Sequence, residues 1–585
     1  MRFRVPRAYR LAVVVVLAAA IPGWALAQGV PVPGSVEPGR LQERLQPPPG
    51  PAPTPEVVAP QLPEAAPPSE AAQIRFTLRT ITVDGSTVYT PDQLRPLYAN
   101  LVGKEVSLAD IYRIADAITT KYRSDGYILS RAVVPAQTVT GGEVHIRVVE
   151  GFINKVIMQG ETTALIDSYA NQITRSRPLR AKDLERFLLL INDLPGAHAF
   201  GALSPAAGVL GGSDLTVVVE QKRLDLYSSL DNRGTKFTGP YELFNEAAWN
   251  NPLGLSDRVG FRYITTPLQE QELRYFELDY DVPIGTQGTK FSLDTSGNTS
   301  HPGNNFQTTF LQTDTSGATV IAKLSHPLIR SRAQNLFVDV SFTYRDAIVD
   351  QLALPSFTRL TTSYADHVRV FRAGASYDTT DGWLGRDFAR LELSQGVQVL
   401  GATPSGKATN VSRPGAEATF TKATLDASRT QNLDRVLSGL DLLTAVSAGG
   451  SFGQGLFASE QFGVGGPVFG RGYDPSELTG DYGASGKAEF QYNFQAPMPA
   501  GPPPRLQLFT FYDFGAVTDQ NPARLNESAM PRTLASTGLG LRANWTDHIL
   551  ASLEADKPLT RGVAAYSSNV DKKPWRIYFT LTARY

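Results

Sequence analysis

The sequence predicts two α+β units followed by a membrane-spanning antiparallel β-barrel of about 16 strands. Three observations support this prediction. The chain of 585 residues opens with an export signal. Helical and strand patterns then alternate twice between residues 74 and 223. From about Leu224 the helical period disappears, and only short segments of alternating apolar and polar residues remain.

Residues 1–27 have the three parts of a secretory signal peptide. Arginines at positions 2, 4, 7 and 10 form a basic region, an apolar run covers residues 11–20, and Ala25 and Ala27 fit the small-residue positions of a cleavage site. The apolar run is too short to span a bilayer as a helix. We expect cleavage after Ala27, so that the mature chain begins at Gln28; an uncleaved anchor is the alternative.

Composition excludes several classes of function. The chain has 0 cysteines, so it has no disulfide framework or thiolate metal site. Without the four signal-peptide arginines, 51 basic residues face 56 acidic ones, a balance that argues against nucleic-acid binding. The 6 histidines show no ligand spacing, and no catalytic triad, paired-acid constellation or phosphate-binding loop is evident. We therefore expect neither an enzyme nor a cofactor.

Residues 28–73 are rich in proline, which favours an extended tether over a packed domain. One piece of this tether, at about residues 36–46, contains strong helix formers: Arg40 begins the run, Leu41 and Leu45 lie one turn apart, and Pro47 ends it. The segment reads as one short helix on a proline-rich linker. A linker that is helical only transiently is the alternative.

Residues 74–151 and 152–223 repeat one order of elements, β-α-α-β-β. In the first unit, Ser107 fits the N-cap of a helix that ends near Gly126. In the second unit, an amphipathic helix carries an apolar stripe that includes Leu184, Leu188 and Ile191. Two copies of one supersecondary unit are an internal repeat of structure rather than of sequence.

Residues 224–585 consist of alternating segments such as "LFVDVSFTYR" and the last one, "RIYFTLTARY", in which Phe579, Leu581 and Tyr585 share the apolar face. A soluble sandwich would turn this face inward, and a membrane barrel would turn it towards lipid. The length of the region, the charged opposite faces and the terminal aromatic residue favour the barrel.

Two motifs stand out within the barrel region. "VFGRGYDPSELTGDYG" places Arg471 between Gly470 and Gly472, followed by Tyr473 and a run of turn formers. "FYDFG" contains Phe511, Asp513 and Gly515. In the strand around Asp513 the residues Leu508, Tyr512 and Phe514 share one parity, so Asp513 points into the lumen if those side chains meet lipid.

Taken in order, the signal peptide, the tethered helix, the two β-α-α-β-β units and the two motifs resemble the two-partner secretion transporters, the ShlB/FhaC/HecB-like pores of the Omp85 superfamily. "DNRG" at residues 231–234 resembles the segment that opens the family's barrel. The resemblance implies two periplasmic POTRA domains, a 16-stranded barrel, and a plug helix inside the pore at rest. It also implies a long loop that folds into the lumen, where Arg471 would meet Asp513. The chain departs from the family at Gly470, where an aliphatic residue is usual, and at Tyr585, which is often Phe.

We interpret Arg471 as a latch, because its planar guanidinium binds a carboxylate at two points and keeps its charge. In a water-filled lumen such a pair would contribute only ~1 kcal/mol or somewhat more. The alternative is a solvated loop arginine.

The function that the resemblance implies is export of a partner across the bacterial outer membrane without ATP. The partner would be a TpsA-like exoprotein, such as an adhesin, a haemolysin or a contact-dependent toxin, recognised by the periplasmic domains. Leu184, Leu188 and Ile191 could border a docking groove; a place in the domain core is the alternative. The other expected partners are outer-membrane lipid and, during biogenesis, the barrel assembly machinery, and we expect a monomer. An insertase for other barrels and a passive solute porin are the competing functions.

Overall fold

A computed structural model describes residues 34–42, 70–235, 237–268, 272–303, 311–353, 356, 358–405, 410–496, 503–520, 530–563 and 573–585. The signal peptide, most of the proline-rich tether and Leu45 lie outside the described residues. Within that part of the chain, no helix combines the length and the apolarity needed to cross a membrane.

The first α+β unit packs one long helix on a three-stranded sheet. Its elements are β1 (Arg75–Thr77), β2 (Thr80–Asp84), α1 (Pro91–Leu94), β3 (Glu105–Ser107), α2 (Leu108–Ser124), β4 (Arg131–Val133) and β5 (Glu143–Val149). The main sheet has the order β2-β5-β4, and β1 pairs with β3. Ser107 begins α2 through a capping box with Asp110. α1 is shorter than the pattern predicts, because Pro96 has no N–H to continue it, and two 3-10 turns follow.

The second unit repeats this arrangement with β6 (Phe152–Gly160), α3 (Ala164–Ile173), α4 (Ala181–Asn192), β7 (Ala197–Pro205) and β8 (Gly212–Gln221). Its sheet has the order β6-β8-β7, with β6 parallel to β8. The two sheets share a topology, with the first strand parallel to the last and the middle strand at one edge. This common topology is the repeat that the sequence predicts.

The remainder of the chain forms a closed antiparallel barrel, and the predicted number of 16 strands is confirmed. The strands are β9 (Leu224–Asp231), β10 (Glu242–Asn250), β11 (Arg258–Thr265), β12 (Arg274–Ile284), β13 (Thr289–Ser300), β14 (Leu311–Arg330), β15 (Gln334–Ala353), β16 (Thr358–Thr380), β17 (Gly385–Gly396), β18 (Thr421–Asn432), β19 (Leu440–Ser451), β22 (Tyr482–Gln495), β23 (Arg505–Thr518), β24 (Arg532–Asn544), β25 (Ile549–Pro558) and β26 (Arg576–Arg584). β26 pairs with β9 and closes the barrel. Two short strands, β20 (Phe462–Val464) and β21 (Leu478–Gly480), form a separate hairpin in the loop between β19 and β22.

Side chains alternate across the barrel wall as a lipid-embedded barrel requires. On β23 the side chains of Leu508, Tyr512 and Phe514 are exposed on the outside. Phe509, Phe511 and Asp513, on the same strand, are buried inside the barrel. Because an apolar outer surface is stable only against hydrocarbon, the outside of this barrel is its lipid face.

The second α+β unit is fastened to the near end of the barrel. Arg330, at the end of β14, donates from Nε and Nη2 to the carboxylate of Asp193 at 2.8 and 2.6 Å. Arg186 on α4 donates to the carbonyl of Pro327 at 3.1 Å. These contacts place α4 against the turns between barrel strands, at the end of the barrel where the chain enters it.

Candidate functional site

The loop that joins β19 to β22, residues 452–481, folds back into the barrel and is called the inward loop below. Its hairpin of β20 and β21 packs in a cluster inside the barrel with Tyr473 and with Val517 and Leu534 of the wall. Gly515 on β23 permits this close approach, because a Cβ at that position would collide with Val464. The inward loop therefore occupies part of the lumen.

Arg471 is the centre of the candidate site, and the structure brings it together with Asp513. Its backbone N and its Nε donate to Oδ2 of Asp513 at 3.0 and 3.1 Å, and its Nη2 donates to Oδ1 at 3.2 Å. The guanidinium carbon lies 3.3 Å from the centre of the Phe511 ring. Arg471 is 3 % exposed and Asp513 is 0 % exposed. One carboxylate and one aromatic face thus hold the arginine from two directions.

A second carboxylate, Glu489 on β22, completes the site and is absent from the sequence-based prediction. Nη1 of Arg471 donates to its Oε2 at 2.6 Å, and Arg542 on β24 donates to its Oε1 at 2.7 Å. Glu489 lies opposite Phe511 in the pairing of β22 with β23. The alternation of "KAEFQYNF" already places Glu489 on the lumen face, and this was the signal available in the sequence. We call Arg471 with Asp513 and Glu489 the latch.

Burial changes the energetics that the sequence suggests for the latch. The expectation of ~1 kcal/mol applies to a solvated pair, whereas all three charged groups of the latch are buried. Removing one partner of a buried ion pair costs roughly 3–5 kcal/mol, because the remaining charge is left without compensation. The figure for a solvated pair therefore does not apply to the latch, because its three charged side chains are buried.

The glycines beside Arg471 serve the tight turn of the loop tip. Gly470 has φ +81°, a conformation that strains a residue with a Cβ. Gly472 packs against the backbone of Pro558 and Lys557. Tyr473 is buried, and its hydroxyl lies 3.2 Å from both Thr560 Oγ1 and the carbonyl oxygen of Arg561. The aliphatic residue usual at position 470 would not adopt this φ easily, so Gly470 accommodates the turn.

The tethered segment before the first α+β unit lies inside the barrel. Residues 34–42, called the plug segment below, form two 3-10 turns, Gly34–Val36 and Pro38–Arg40, and Leu41 and Gln42 are helical. Arg40 donates from Nη1 to the carbonyls of Ala458 and Gln461 at 3.2 and 2.6 Å, and from Nε to Ser476 Oγ at 3.2 Å. Leu41 packs on Ile264, Leu273 and Tyr275. The plug segment is therefore bound to the inward loop as well as to the wall.

Glu37 places a buried carboxyl between the plug segment and the wall. The hydroxyl of Tyr364 donates to one oxygen, and Oε1 has no hydrogen-bond partner among the described residues. Burial raises the pKa of Glu37 to about 7; the Tyr364 bond opposes this rise, and the neighbouring Asp366 adds to it. The nearby Arg40 favours the charged form. Arg413, Asp519 and Arg532 line the same small cavity of about 150 Å³.

We expect the plugged state to lose stability as pH rises. Because the pKa of Glu37 is about 7 in the seated plug against an ordinary 4.5, the seated state holds the proton more tightly. The contribution of protonated Glu37 to the stability of the seated plug is fully present below pH 4.5 and is lost as pH rises through about 7. Planar-bilayer conductance of the full chain should therefore increase between about pH 5 and about pH 8. Glu37→Gln should flatten this dependence, and a flat profile in the unaltered protein would contradict the prediction.

Leu184, Leu188 and Ile191 do not line an open groove. All three lie in the hydrophobic core of the second α+β unit, where Leu188 and Ile191 are 0 % exposed. Their stripe on α4 faces the unit's own sheet, packing on β8 residues such as Leu215 and Val217. The docking-groove interpretation is therefore wrong for the folded unit, and its alternative, a place in the domain core, is supported, because the unit's own sheet covers these side chains.

Leu188→Ala should therefore weaken the fold of the second unit. Emptying a fully buried leucine site costs about 2–5 kcal/mol. Limited proteolysis of the full chain should show faster cleavage between residues 152 and 223, with the barrel intact. Leu210→Ala, at an exposed turn position, is the control and should leave the cleavage rate unchanged. Equal cleavage of both variants would contradict the assignment of Leu188 to the core.

The last strand presents its apolar face outward as its pattern predicts. Leu581 and Tyr585 are exposed on the outside, and Phe579 is half-buried against Tyr241. The backbone N and O of Tyr585 exchange hydrogen bonds with Leu226, both at 2.8 Å. The C-terminal residue thus takes part in closing the barrel.

Comparison with known proteins gives two family matches. The model for haemolysin secretion/activation protein ShlB/FhaC/HecB matches residues 211–543, and the model for the ShlB-type POTRA domain matches residues 76–151. The first α+β unit is therefore a POTRA domain.

Single proteins and solved structures agree with these matches. The chain is 29 % identical over 290 residues to the heme/hemopexin transporter protein HuxB of Haemophilus influenzae (strain 86-028NP), covering 48 % of this chain and 50 % of that protein. It is 24 % identical to the outer membrane transporter CdiB of Dickeya dadantii, covering 72 % and 73 %. The solved structure of CdiB from Escherichia coli has a TM-score of 0.69 at 21 % identity, covering 90 % and 93 %, which shows a shared fold. The match spans about half the length of the HuxB relative.

Proposed function

Since the chain belongs to the haemolysin secretion/activation protein family ShlB/FhaC/HecB, we propose that it is an outer-membrane pore that exports an unfolded partner protein. The barrel spans the outer membrane, and the POTRA domain lies in the periplasm. The observation that carries the proposal is the occupied lumen: the plug segment and the inward loop both lie within the barrel and are bonded to each other. A pore that must pass a polypeptide and otherwise stay closed needs such a removable obstruction.

The exported partner is an exoprotein of the TpsA kind, and its class follows from what relatives handle. HuxB is named as a heme/hemopexin transporter, CdiB as an outer membrane transporter, and ShlB of Serratia marcescens as a hemolysin transporter. A haemolysin fits the name of ShlB, and an adhesin and a contact-dependent toxin are the other candidates. Transport rather than chemistry is the role of the pore, and folding of the partner outside the cell supplies the direction without ATP.

Open sheet edges are the docking sites that the fold offers to an unfolded chain. In the second α+β unit, β7 pairs only with β8 among the described strands, and Phe200 on β7 is exposed. An extended partner can add a strand there through main-chain hydrogen bonds, which demand little of its sequence. We place docking at such an edge rather than on the apolar stripe of α4.

The protein reaches the outer membrane in two steps, export and insertion. Residues 1–27 direct export and are removed after Ala27, the barrel assembly machinery inserts the barrel into outer-membrane lipid, and the pore works as a monomer. We keep residues 152–223 as a second POTRA domain on the strength of the shared sheet topology.

Deleting the coding sequence and comparing the proteome of the medium with that of the outer membrane tests the proposed function. We expect one large exoprotein to disappear from the medium while the outer-membrane proteins stay unchanged, and the intact chain should restore it. A general loss of outer-membrane barrels would indicate an insertase instead. Uptake of small solutes through a variant lacking residues 74–222, with secretion unchanged, would indicate a porin.

A further inference from the structure

Glu460 is a buried acid of the inward loop that the latch does not use. It ends a 3-10 turn, Ala458–Glu460, and is 1 % exposed. Its Oε1 accepts from Arg345 Nη1 at 3.1 Å and from Arg372 Nη2 at 2.7 Å, and its Oε2 accepts from Lys422 Nζ at 2.7 Å. One carboxylate thus compensates three cations of the barrel wall.

The three cations come from a different arc of the wall than the latch. Arg345 is on β15, Arg372 on β16 and Lys422 on β18, whereas the latch carboxylates are on β22 and β23. In the order of strands around the barrel, β19 lies between the two groups. The charges are also opposite: at the latch the loop supplies the cation, and at Glu460 it supplies the anion.

The turn that carries Glu460 also contacts the plug segment. Arg40 donates to the carbonyl of Ala458, and Arg345 donates to the carbonyl of Ser459 at 3.4 Å. Gly39 packs so closely on Ser459 that a Cβ there would lie 2.6 Å from the serine Cβ. The turn is therefore held between the plug segment on one side and the cationic wall on the other.

We propose that Glu460 is a second anchor of the inward loop, opposite in charge to Arg471, and that it positions the part of the loop on which the plug segment rests. The proposal builds on the export function. With one anchor on each arc, the loop is fixed to the wall at two points, and passage of a polypeptide requires release of both.

The surroundings of Glu460 allow such a release. A cavity of about 490 Å³ lies beside it and is lined by polar and charged side chains, among them Gln42, Asp339 and Arg390. This cavity is polar and large enough to hold water. Water can therefore hydrate the wall cations once the carboxylate withdraws, so the anchor can open without unfolding the barrel.

The absence of cysteine in the chain gives a direct test. Ser459→Cys introduces a single thiol at a buried position whose hydroxyl has no hydrogen-bond partner among the described residues. In the purified full-length protein in detergent, we expect slow reaction of this thiol with N-ethylmaleimide. Adding Glu460→Gln should raise the rate about tenfold or more, since three wall cations lose the carboxylate that they share. Glu460→Asp should raise it less.

Two further variants show whether the effect belongs to this anchor. Arg471→Gln frees the other anchor of the loop and should raise the reaction rate of the introduced thiol far less than Glu460→Gln does. Asp547→Asn removes an exposed carboxylate of a surface pair with Arg505 and should change nothing. A Glu460→Gln rate equal to that of the Ser459→Cys parent would overturn the proposal.

If Glu460→Gln fails to form a heat-modifiable barrel on gels, Lys422→Gln tests the anchor instead, because it removes a wall cation that contacts Glu460. It should raise the thiol rate in the same direction, and an unchanged rate would overturn the proposal. The labelling experiment does not depend on secretion. Suppose that Glu460→Gln raises the labelling rate but that deleting the coding sequence removes no exoprotein from the medium. This pair of results would contradict the export function and still support the anchor.

Discussion

Arg471→Ala should reduce secretion of the exported partner about tenfold or more while leaving the barrel folded, because a buried ion pair loses one member. The substitution removes two side-chain hydrogen bonds from Asp513, one from Glu489, and the guanidinium that covers Phe511. Two carboxylates inside the barrel then face each other with less compensation, although Arg542 still pairs with Glu489. The loop tip should leave its place on the wall.

The measurement is the amount of exoprotein in the medium, with heat-modifiable mobility on gels to show that the barrel is folded. Arg505→Ala is a matched control, because Arg505 begins β23, the strand that carries Asp513, and its side chain is exposed. It should leave secretion unchanged.

Reversing both charges of the pair gives the stricter test. Arg471→Asp combined with Asp513→Arg should secrete more than either single reversal. Restoration should be partial, because Glu489 would then face the new carboxylate on the loop. If the double reversal is no better than the singles, the latch interpretation is wrong.

Arg40→Ala should open the resting pore. The guanidinium makes three hydrogen bonds to the inward loop, with Ala458, Gln461 and Ser476, and all of them are lost. A hydrogen bond with a charged partner contributes roughly 1.5–3 kcal/mol, so the seated plug should lose several kcal/mol against the unseated state. We expect the frequency of large conductance events in planar bilayers to rise about tenfold or more, because a loss of about 1.4 kcal/mol already shifts the equilibrium between seated and unseated plug tenfold.

A matched control lies two residues away. Gln42 is also buried in the plug segment, but its side-chain amide has no hydrogen-bond partner among the described residues. Gln42→Ala should therefore change the conductance much less than Arg40→Ala. Equal effects would show that packing rather than the arginine holds the plug segment in place.

Local pattern was sufficient for the architecture of this protein. Alternation with a period of two is a property of each strand alone, so it predicts which face of β23 meets lipid and hence that Asp513 points inward. The repeat of β-α-α-β-β units was also readable, since capping residues such as Ser107 and apolar stripes are local signals. The loop tip around Arg471 was singled out by its short motif together with the family resemblance, since the motif alone is a weak signal.

Local pattern left two interpretations open where one apolar face had two possible partners. The stripe of Leu184, Leu188 and Ile191 is the same whether it borders a groove or packs on the unit's own sheet. Only the structure shows that β8 covers it. The energetics of the latch were misjudged for a similar reason, since no sequence pattern shows whether water reaches a lumen group.

The sequence by itself determined the repeated units, the barrel and the facing of its side chains, because each depends on residues a few positions apart. Only the tertiary structure decided which charges meet: Glu489 with Arg471, Arg40 with the inward loop, and Glu460 with three wall cations. Arg345 and Glu460 are separated by 115 residues along the chain. Such pairs form because barrel closure and loop folding bring distant segments together inside the barrel, and no local sequence period predicts these contacts.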